Sequence, residues 1–229
     1  MFILSLVKDT IAVIPSKLNL DASLAIRDSI NTKYSNKILQ DVGLSISLHS
    51  ILESSQGYIE HSNGNVYYKV TFNLIVFRPF IGEILLAKVN STNKDGILAS
   101  VDFFNDIWIP KEQLPEISQF DPAENTFFWL AGWEGGDPFM SSPEERAYID
   151  VGEQIRIRIE AEHFENIYPT PKKKEVTETD TVEAVPTAYR LTASIDGQGL
   201  GVVSWWEEGE AEEEGDEEGQ EETENAMEE

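Results

Sequence analysis

Between Val66 and Phe77 every second residue is apolar. Val66, Tyr68, Val70, Phe72, Leu74 and Val76 alternate with positions that include Lys69, Thr71 and Asn73. A period of two places the apolar set on one side of an extended strand and excludes an amphipathic helix. The run is the long arm of a hairpin, which needs a second arm. One is signalled just upstream: Tyr58–His61 and the run flank Ser62-Asn63-Gly64-Asn65, and an Asn-Gly pair supplies the positive φ angles of a tight hairpin turn. At Ile75 and Phe77 the second face also turns apolar, so this end of the strand enters a second packing environment.

The segment before the hairpin supplies the rest of a small domain. Residues 2–14 read as a buried first strand rich in Ile, Val and Leu, ended by Pro15. Leu20, Leu24, Ile26, Ile30, Tyr34 and Ile38 then recur at spacings of mostly four, which is one helix face, opened by Asn19 or Asp21 as the cap. After Gly43, Leu44, Ile46, Leu48 and Leu52 alternate with Ser45, Ser47 and His49, a half-buried strand. Strand, helix and three antiparallel strands make an α+β domain over residues 1–79.

Beyond Arg78-Pro79 the pattern changes to short strands with Gly-rich turns. Ile81–Val89, Gly96–Val101, Asp106–Ile109, Thr126–Leu130, Ile155–Ala161 and Tyr189–Ile195 read as strands of an all-β barrel or sandwich over residues 80–206. Ser142-Pro143-Glu144-Glu145 is a capping box with Pro at the first helical position and predicts a short helix. Residues 165–187 are polar and contain prolines, the composition of a disordered insertion. Residues 207–229 hold 14 acids and no Lys or Arg, and are expected to form a disordered acidic tail.

That tail sets the charge. The net is −25; without its 14 acids, 28 of the 42 Asp and Glu remain against 17 Lys and Arg, a net of −11. A negative surface repels nucleic acid at long range, so any RNA contact needs a local basic or aromatic patch. The chain has no cysteine, which excludes disulfides, thiolate zinc sites and a Cys nucleophile. The opening apolar run stops at Lys8-Asp9, too short for a signal h-region. No stretch reaches the roughly 18 apolar residues of a membrane span, and no membrane partner is expected. The sequon Asn90-Ser91-Thr92 reads as chance.

No arrangement of residues points to catalysis, a metal or a cofactor. His49, His61 and His163 share no ligand spacing and read as surface histidines. Gly197-x-Gly199-x-Gly201 precedes a strand rather than a helix, so these are turn glycines and not a phosphate cradle. Lys172–Lys174, flanked by acids, read as solvated. Lys88, Lys94, Lys111, Arg156, Arg158 and Arg190 fall on or beside the barrel strands. Basic and aromatic residues on one barrel face are how OB-folds hold single strands. Arg156 and Arg158 alternate with Ile155, Ile157 and Ile159, so both point away from the core. Phe103, Phe104, Trp108, Phe127, Phe128, Trp129, Trp133, Trp205 and Trp206 are too many to be wholly internal to a small barrel, and some are expected to cover a domain seam or meet a partner.

Six strings in order carry a resemblance. They are MFILSLVKDTIAVIP, NKILQDVGLSISL, VTFNLIVFRPFIGEILLAKV, DIWIP (Asp106–Pro110), VGEQIRIRIEAEHF (Val151–Phe164) and GLGVVSWWE, which ends at Glu207. Together they resemble the RNA polymerase III member of the eukaryotic and archaeal polymerase stalk family, over about residues 1–206. The resemblance implies a tip domain that docks on the polymerase III core, followed by an OB-fold of the ribosomal-protein-S-one type. It implies a nuclear, non-catalytic subunit that forms a heterodimer with a smaller helical stalk subunit. The pair would support initiation on transfer RNA and 5S ribosomal RNA genes through contacts with initiation factors. Phe77, Pro79, Phe80, Trp205 and Trp206 are the candidate partner contacts, and Lys88, Lys94, Trp108, Lys111, Arg156, Arg158 and Arg190 the candidate contacts to single-stranded RNA.

Two departures weaken the RNA expectation. Barrels of this type usually carry two aromatics around the glycine of the second strand, and here Gly96 has Asp95 and Leu98 at the corresponding positions. The usual histidine of the third strand corresponds to Trp108; a basic residue near the start of the last strand is kept as Arg190. Each base left unstacked lowers affinity by about 1–3 kcal/mol, so subunit contact is the primary expectation. The competing reading is a free-standing OB-fold RNA-binding protein, such as an exosome or translation-factor component, which has no need of a tip domain.

Overall fold

The computed structural model describes residues 1–60, 63–133, 138–142, 145–165 and 188–206. The chain divides into two compact units. One comprises Met1–Phe80 with Phe164–Tyr189, the other Ile81–His163 with Arg190–Glu229.

The first unit is a five-stranded antiparallel sheet with one helix. Its strands are β1 (Phe2–Val13), β2 (Lys37–Leu39), β3 (Gly43–Ser54), β4 (Tyr58–Ile59) and β5 (Val66–Phe77), and its helix is α1 (Ala22–Tyr34). The order is β1-β5-β3-β2, with β4 also paired to β5. The alternating run is therefore the central strand. It pairs with β1 along its whole length, Phe2 opposite Phe77 and Val13 opposite Val66. The hairpin forms with a short arm, since Tyr58 and Ile59 alone pair with Tyr67 and Val66; Gly64 takes φ +69° in the turn. His61 lies outside the described residues.

The core face of this sheet is the even-numbered side of β5. Val70, Phe72, Leu74 and Val76 pack with Ile11, Val13, Ala25, Ile26 and Ile30. Asp21 is the helix cap, its carboxylate accepting from the Ser23 amide at 3.2 Å. The helix face differs from the expected one. Ala25, Ile26 and Ile30 are buried, whereas Leu20 and Leu24 are exposed and Ile38 sits on β2. A spacing of four drifts around a helix of 3.6 residues per turn, so the expected face could not stay buried throughout. Three register shifts in β3 break the simple alternation there and leave Leu52 exposed. The first strand is also only partly buried: Ile11 and Val13 are inside, but Phe2, Ile3, Leu4 and Leu6 are exposed.

The second unit is a closed barrel. β6 (Ile84–Asn93), β7 (Gly96–Val101), β8 (Phe104–Pro110), β12 (Gln154–Phe164), β13 (Tyr189–Ser194) and β14 (Gly201–Val202) run in the order β13-β8-β7-β6-β12-β14, and β13 also pairs with β12. β8 and β13 are parallel. That ring is consistent with an OB-fold. Its interior is aliphatic: Ile97, Ala99, Ile107, Ile109, Ile155, Ile157, Ile159, Leu191 and Ala193 are buried. The expected strand at Thr126–Leu130 forms, but outside the barrel. As β10 (Thr126–Trp129) it lies between β9 (Ser118–Asp121) and β11 (Ala147–Tyr148) in a separate three-stranded sheet. The short helix expected at Ser142–Glu145, the insertion at 165–187 and the tail at 207–229 fall largely or wholly outside the described residues.

Candidate interaction surfaces

Alternation along each barrel strand decides which side chains reach solvent. On β6, Leu85, Ala87 and Val89 point in, while Ile84, Leu86 and Lys88 point out. On β12, Ile155, Ile157 and Ile159 point in, and Arg156 and Arg158 point out as expected. The register places Arg156 opposite Leu86, Arg158 opposite Ile84 and Gln154 opposite Lys88. Directly opposed residues share a face. The two arginines therefore lie beside two exposed aliphatic side chains, not in a continuous basic track. Arg158 is further engaged, donating to the Glu160 carboxylate at 2.7 Å and reaching the Asp196 carbonyl at 3.4 Å.

Trp108 belongs to the outward side of a different part of the ring. It stands opposite Leu98 on β7 and Thr192 on β13. Gly96 lies beneath it: a Cβ there would sit 2.8 Å from the Trp108 ring and 2.2 Å from the Ile109 carbonyl oxygen, so the close approach of β7 to β8 admits only glycine. Burial raises the Asp106 carboxyl above its ordinary value, and the Arg190 charge pulls it back. Arg190 thus has an acid close by. Lys94 and Lys111 are exposed near the β6–β7 turn and the end of β8, where the Lys111 amide donates to the Asp95 carbonyl. The basic residues are spread around the barrel, with Arg156 and Arg158 beside aliphatic side chains and Arg190 near Asp106. In the sequon, Thr92 is buried with its hydroxyl donating to the Asn125 carbonyl at 2.6 Å.

Of the candidate partner contacts before the barrel, Phe77 and Pro79 are buried and Phe80 is 64% exposed. Burial leaves Phe77 and Pro79 little exposed surface. At the other end, Trp205 and Trp206 are half-buried. Trp205 lies against Trp129 with ring centroids 4.9 Å apart, and the Trp206 Nε1 donates to the Leu200 carbonyl at 2.9 Å. Phe104, Phe127 and Phe128 are core residues.

One exposed apolar face lies where the sequence reading expected a buried strand. β1 is an edge strand, and its even-numbered side chains face away from the helix. Phe2, Leu4 and Leu6 occupy one end of that face, with Leu4 57% and Leu6 59% exposed, opposite Phe77, Ile75 and Asn73. The other end is polar: Lys8, Thr10, Glu53, Lys69 and Thr71 border an open depression. A strand apolar on both faces needs cover on both, which was the available signal for Leu4 and Leu6. The same signal marks Ile84 and Leu86.

On the helix side, Asp9 ties β1 to α1. It accepts from Lys33 and from the Tyr34 hydroxyl. Burial alone would raise its carboxyl, but those two donors outweigh it and hold the group below the ordinary range. Burial, with the Asp9 carboxylate beside it, pushes the Tyr34 phenol up.

Among the described residues no cluster of His, Asp and Glu could hold a metal ion. His49 is exposed beside Ser50, and His163 meets the Thr192 hydroxyl at 3.0 Å on the barrel exterior. Gly197 and Gly199 lie in the turn before β14, and Gly201 is the first residue of that strand. No described helix is long and apolar enough to cross a membrane. The described residues offer exposed apolar side chains on β1 and β6, the Trp129–Trp205–Trp206 cluster and scattered cations.

Comparison with known proteins covers both units. Residues 83–206 match the family model described as RNA polymerase III subunit Rpc25. Residues 8–64 match the SHS2 domain found in the N terminus of Rpb7p/Rpc25p/MJ0397. Among curated proteins, the chain is 38% identical to DNA-directed RNA polymerase III subunit rpc8 of Schizosaccharomyces pombe, covering 90% of this chain and all of the relative. It is 34% identical to the Saccharomyces cerevisiae RPC8 subunit, with 90% of this chain and all of that protein covered. It is 33% identical to the Bos taurus RPC8 subunit, with 90% and 98% covered.

Proposed function

Because the chain belongs to the family of RNA polymerase III subunit Rpc25, we propose that it is a non-catalytic stalk subunit of nuclear DNA-directed RNA polymerase III. It pairs with a smaller helical stalk subunit and docks on the polymerase core. Through initiation factors the pair supports transcription of transfer RNA and 5S ribosomal RNA genes. The observation that carries the reading is the apolar outer end of β1. Phe2, Leu4 and Leu6 lie exposed on an edge strand, and a chain working alone would be prone to self-association through such an edge. A permanent partner removes that surface from water at about 25 cal/mol per Å². Ile84 and Leu86 on the barrel, and Phe80 before it, offer further apolar area of the same kind.

RNA contact is a secondary role, carried by Trp108 and the outward arginine Arg156. The Leu86–Arg156 and Ile84–Arg158 pairs suit a protein partner better than a phosphate backbone, because the aliphatic halves stay uncovered when RNA lies on them.

The test is a pull-down of the tagged full-length chain from nuclear extract at high salt. Recovery of a stoichiometric small helical protein with the largest polymerase III subunits is expected. The Leu4→Asp, Leu6→Asp double variant should lose them while keeping its circular dichroism spectrum. Recovery of the chain alone, or with RNA that nuclease removes, would overturn the reading.

A further inference from the structure

We infer that the groove between Trp129, the Trp205–Trp206 pair and the loop at residues 115–117 docks a basic, proline-containing linear segment of a partner protein. The groove lies wholly within the second unit and has a volume of about 430 Å³. Its floor is aromatic and held in place. Trp205 rests on Gly201 and against Trp129, and Trp206 is hydrogen-bonded to the Leu200 carbonyl. A floor that does not rearrange loses little entropy when a ligand arrives.

One wall is unusual. Ile117 takes φ +65°, a left-handed conformation that a β-branched residue seldom adopts. Its side chain is 37% exposed and lines the groove. Strain of this kind persists only where surrounding structure imposes it, and here it presents an aliphatic wall to the tryptophans.

The rim decides the ligand. Glu116 and Asp196 border the groove, and none of its described lining residues is Lys or Arg, while Arg158 donates to the Asp196 carbonyl. Tryptophan faces attract guanidinium and ammonium groups, and aromatic-lined grooves take proline segments that are already extended. Acids at the rim then supply the counter-charge for flanking Arg or Lys. A phosphate backbone would meet those same acids as repulsion, so the tryptophans here do not form a base-stacking platform. The inference stands independently of polymerase membership.

The test uses the full-length chain and a fluorescent peptide of about a dozen residues built from repeated Pro-Pro-Arg. A Pro-Pro-Glu peptide and a uridine oligomer of similar length serve as comparators. Saturable binding of the Arg peptide alone is expected. It should weaken by about tenfold in the Glu116→Lys, Asp196→Lys double variant and also on raising the salt. Both acids are exposed, and an unchanged thermal unfolding midpoint will show that the variant folds. Ile117→Asn, which removes the aliphatic wall without adding charge and tolerates the left-handed backbone, should weaken binding at unchanged salt dependence. The inference is overturned if the Arg peptide does not bind or if the double variant binds it as well as the parent. Loss of all binding on removing residues 207–229, with no effect of the rim variants, would show attraction by the tail alone. Tighter binding of the uridine oligomer would make the groove an RNA site.

Discussion

Replacing Gly201 with alanine places a methyl carbon 2.6 Å from Trp205 Cζ3 and 2.9 Å from Cε3. Both distances are far inside van der Waals contact, so the indole or the strand beneath it must shift, which disturbs the packing of Trp205 on Trp129. Gly201 also has φ +94°, which an L-residue enters at a cost of about 1–2 kcal/mol. Overpacking adds about 1–3 kcal/mol. Together these remove about 2–5 kcal/mol from a domain whose whole stability is typically about 5–15 kcal/mol. All five tryptophans, at 108, 129, 133, 205 and 206, lie in the second unit, so tryptophan fluorescence during urea unfolding reports on that unit alone. With a slope of about 2 kcal/mol per molar urea, the midpoint should fall by about 1–2.5 M. Gly199→Ala is the control. It has φ +78° but nothing within 4 Å of the new carbon, so it incurs the backbone term without the clash. If both variants unfold at the same midpoint, the Gly201–Trp205 contact contributes nothing and the reasoning fails.

Two further outcomes follow from the surfaces. Charge reversal of Arg156, Arg158 and Arg190 together should weaken single-stranded RNA binding and flatten its salt dependence, with Arg156 contributing most because Arg158 and Arg190 already face acids; unchanged affinity and slope would mean the barrel exterior is not an RNA site. Asp9→Asn should destabilise the first unit by about 1–2 kcal/mol at neutral pH, after allowing for solvent around Lys33. Since the folded carboxyl titrates below its ordinary 3.8, that stability is fully present above pH 3.8 and disappears as pH falls through the lower folded value. Parallel stability–pH curves for the two proteins, followed by far-ultraviolet circular dichroism, would count against the Lys33–Asp9–Tyr34 link.

Local pattern carried much of this protein. The period-two run at 66–77, the Asn63-Gly64 turn, the Asp21 cap and the Gly96–Val101 strand were readable because each depends on neighbours in the chain. So was the outward aim of Arg156 and Arg158, since alternation alone sets it. The six strings pointed to the family without any coordinates. Tertiary structure decided the rest. Whether Leu4 and Leu6 are core or surface depends on what lies across the sheet, and the one helix covers only the opposite face. Whether Thr126–Trp129 joins the barrel depends on pairing with Ser118–Asp121 and Ala147–Tyr148, two strands too short to announce themselves. The separation of Trp108 from the β6–β12 arginines follows from closure of the ring, which brings together strands distant in sequence and parts basic residues that composition had grouped. The Trp129–Trp205 contact likewise exists only once residues more than 70 positions apart meet, because contacts at that range are set by the global packing and leave no periodic trace in the chain.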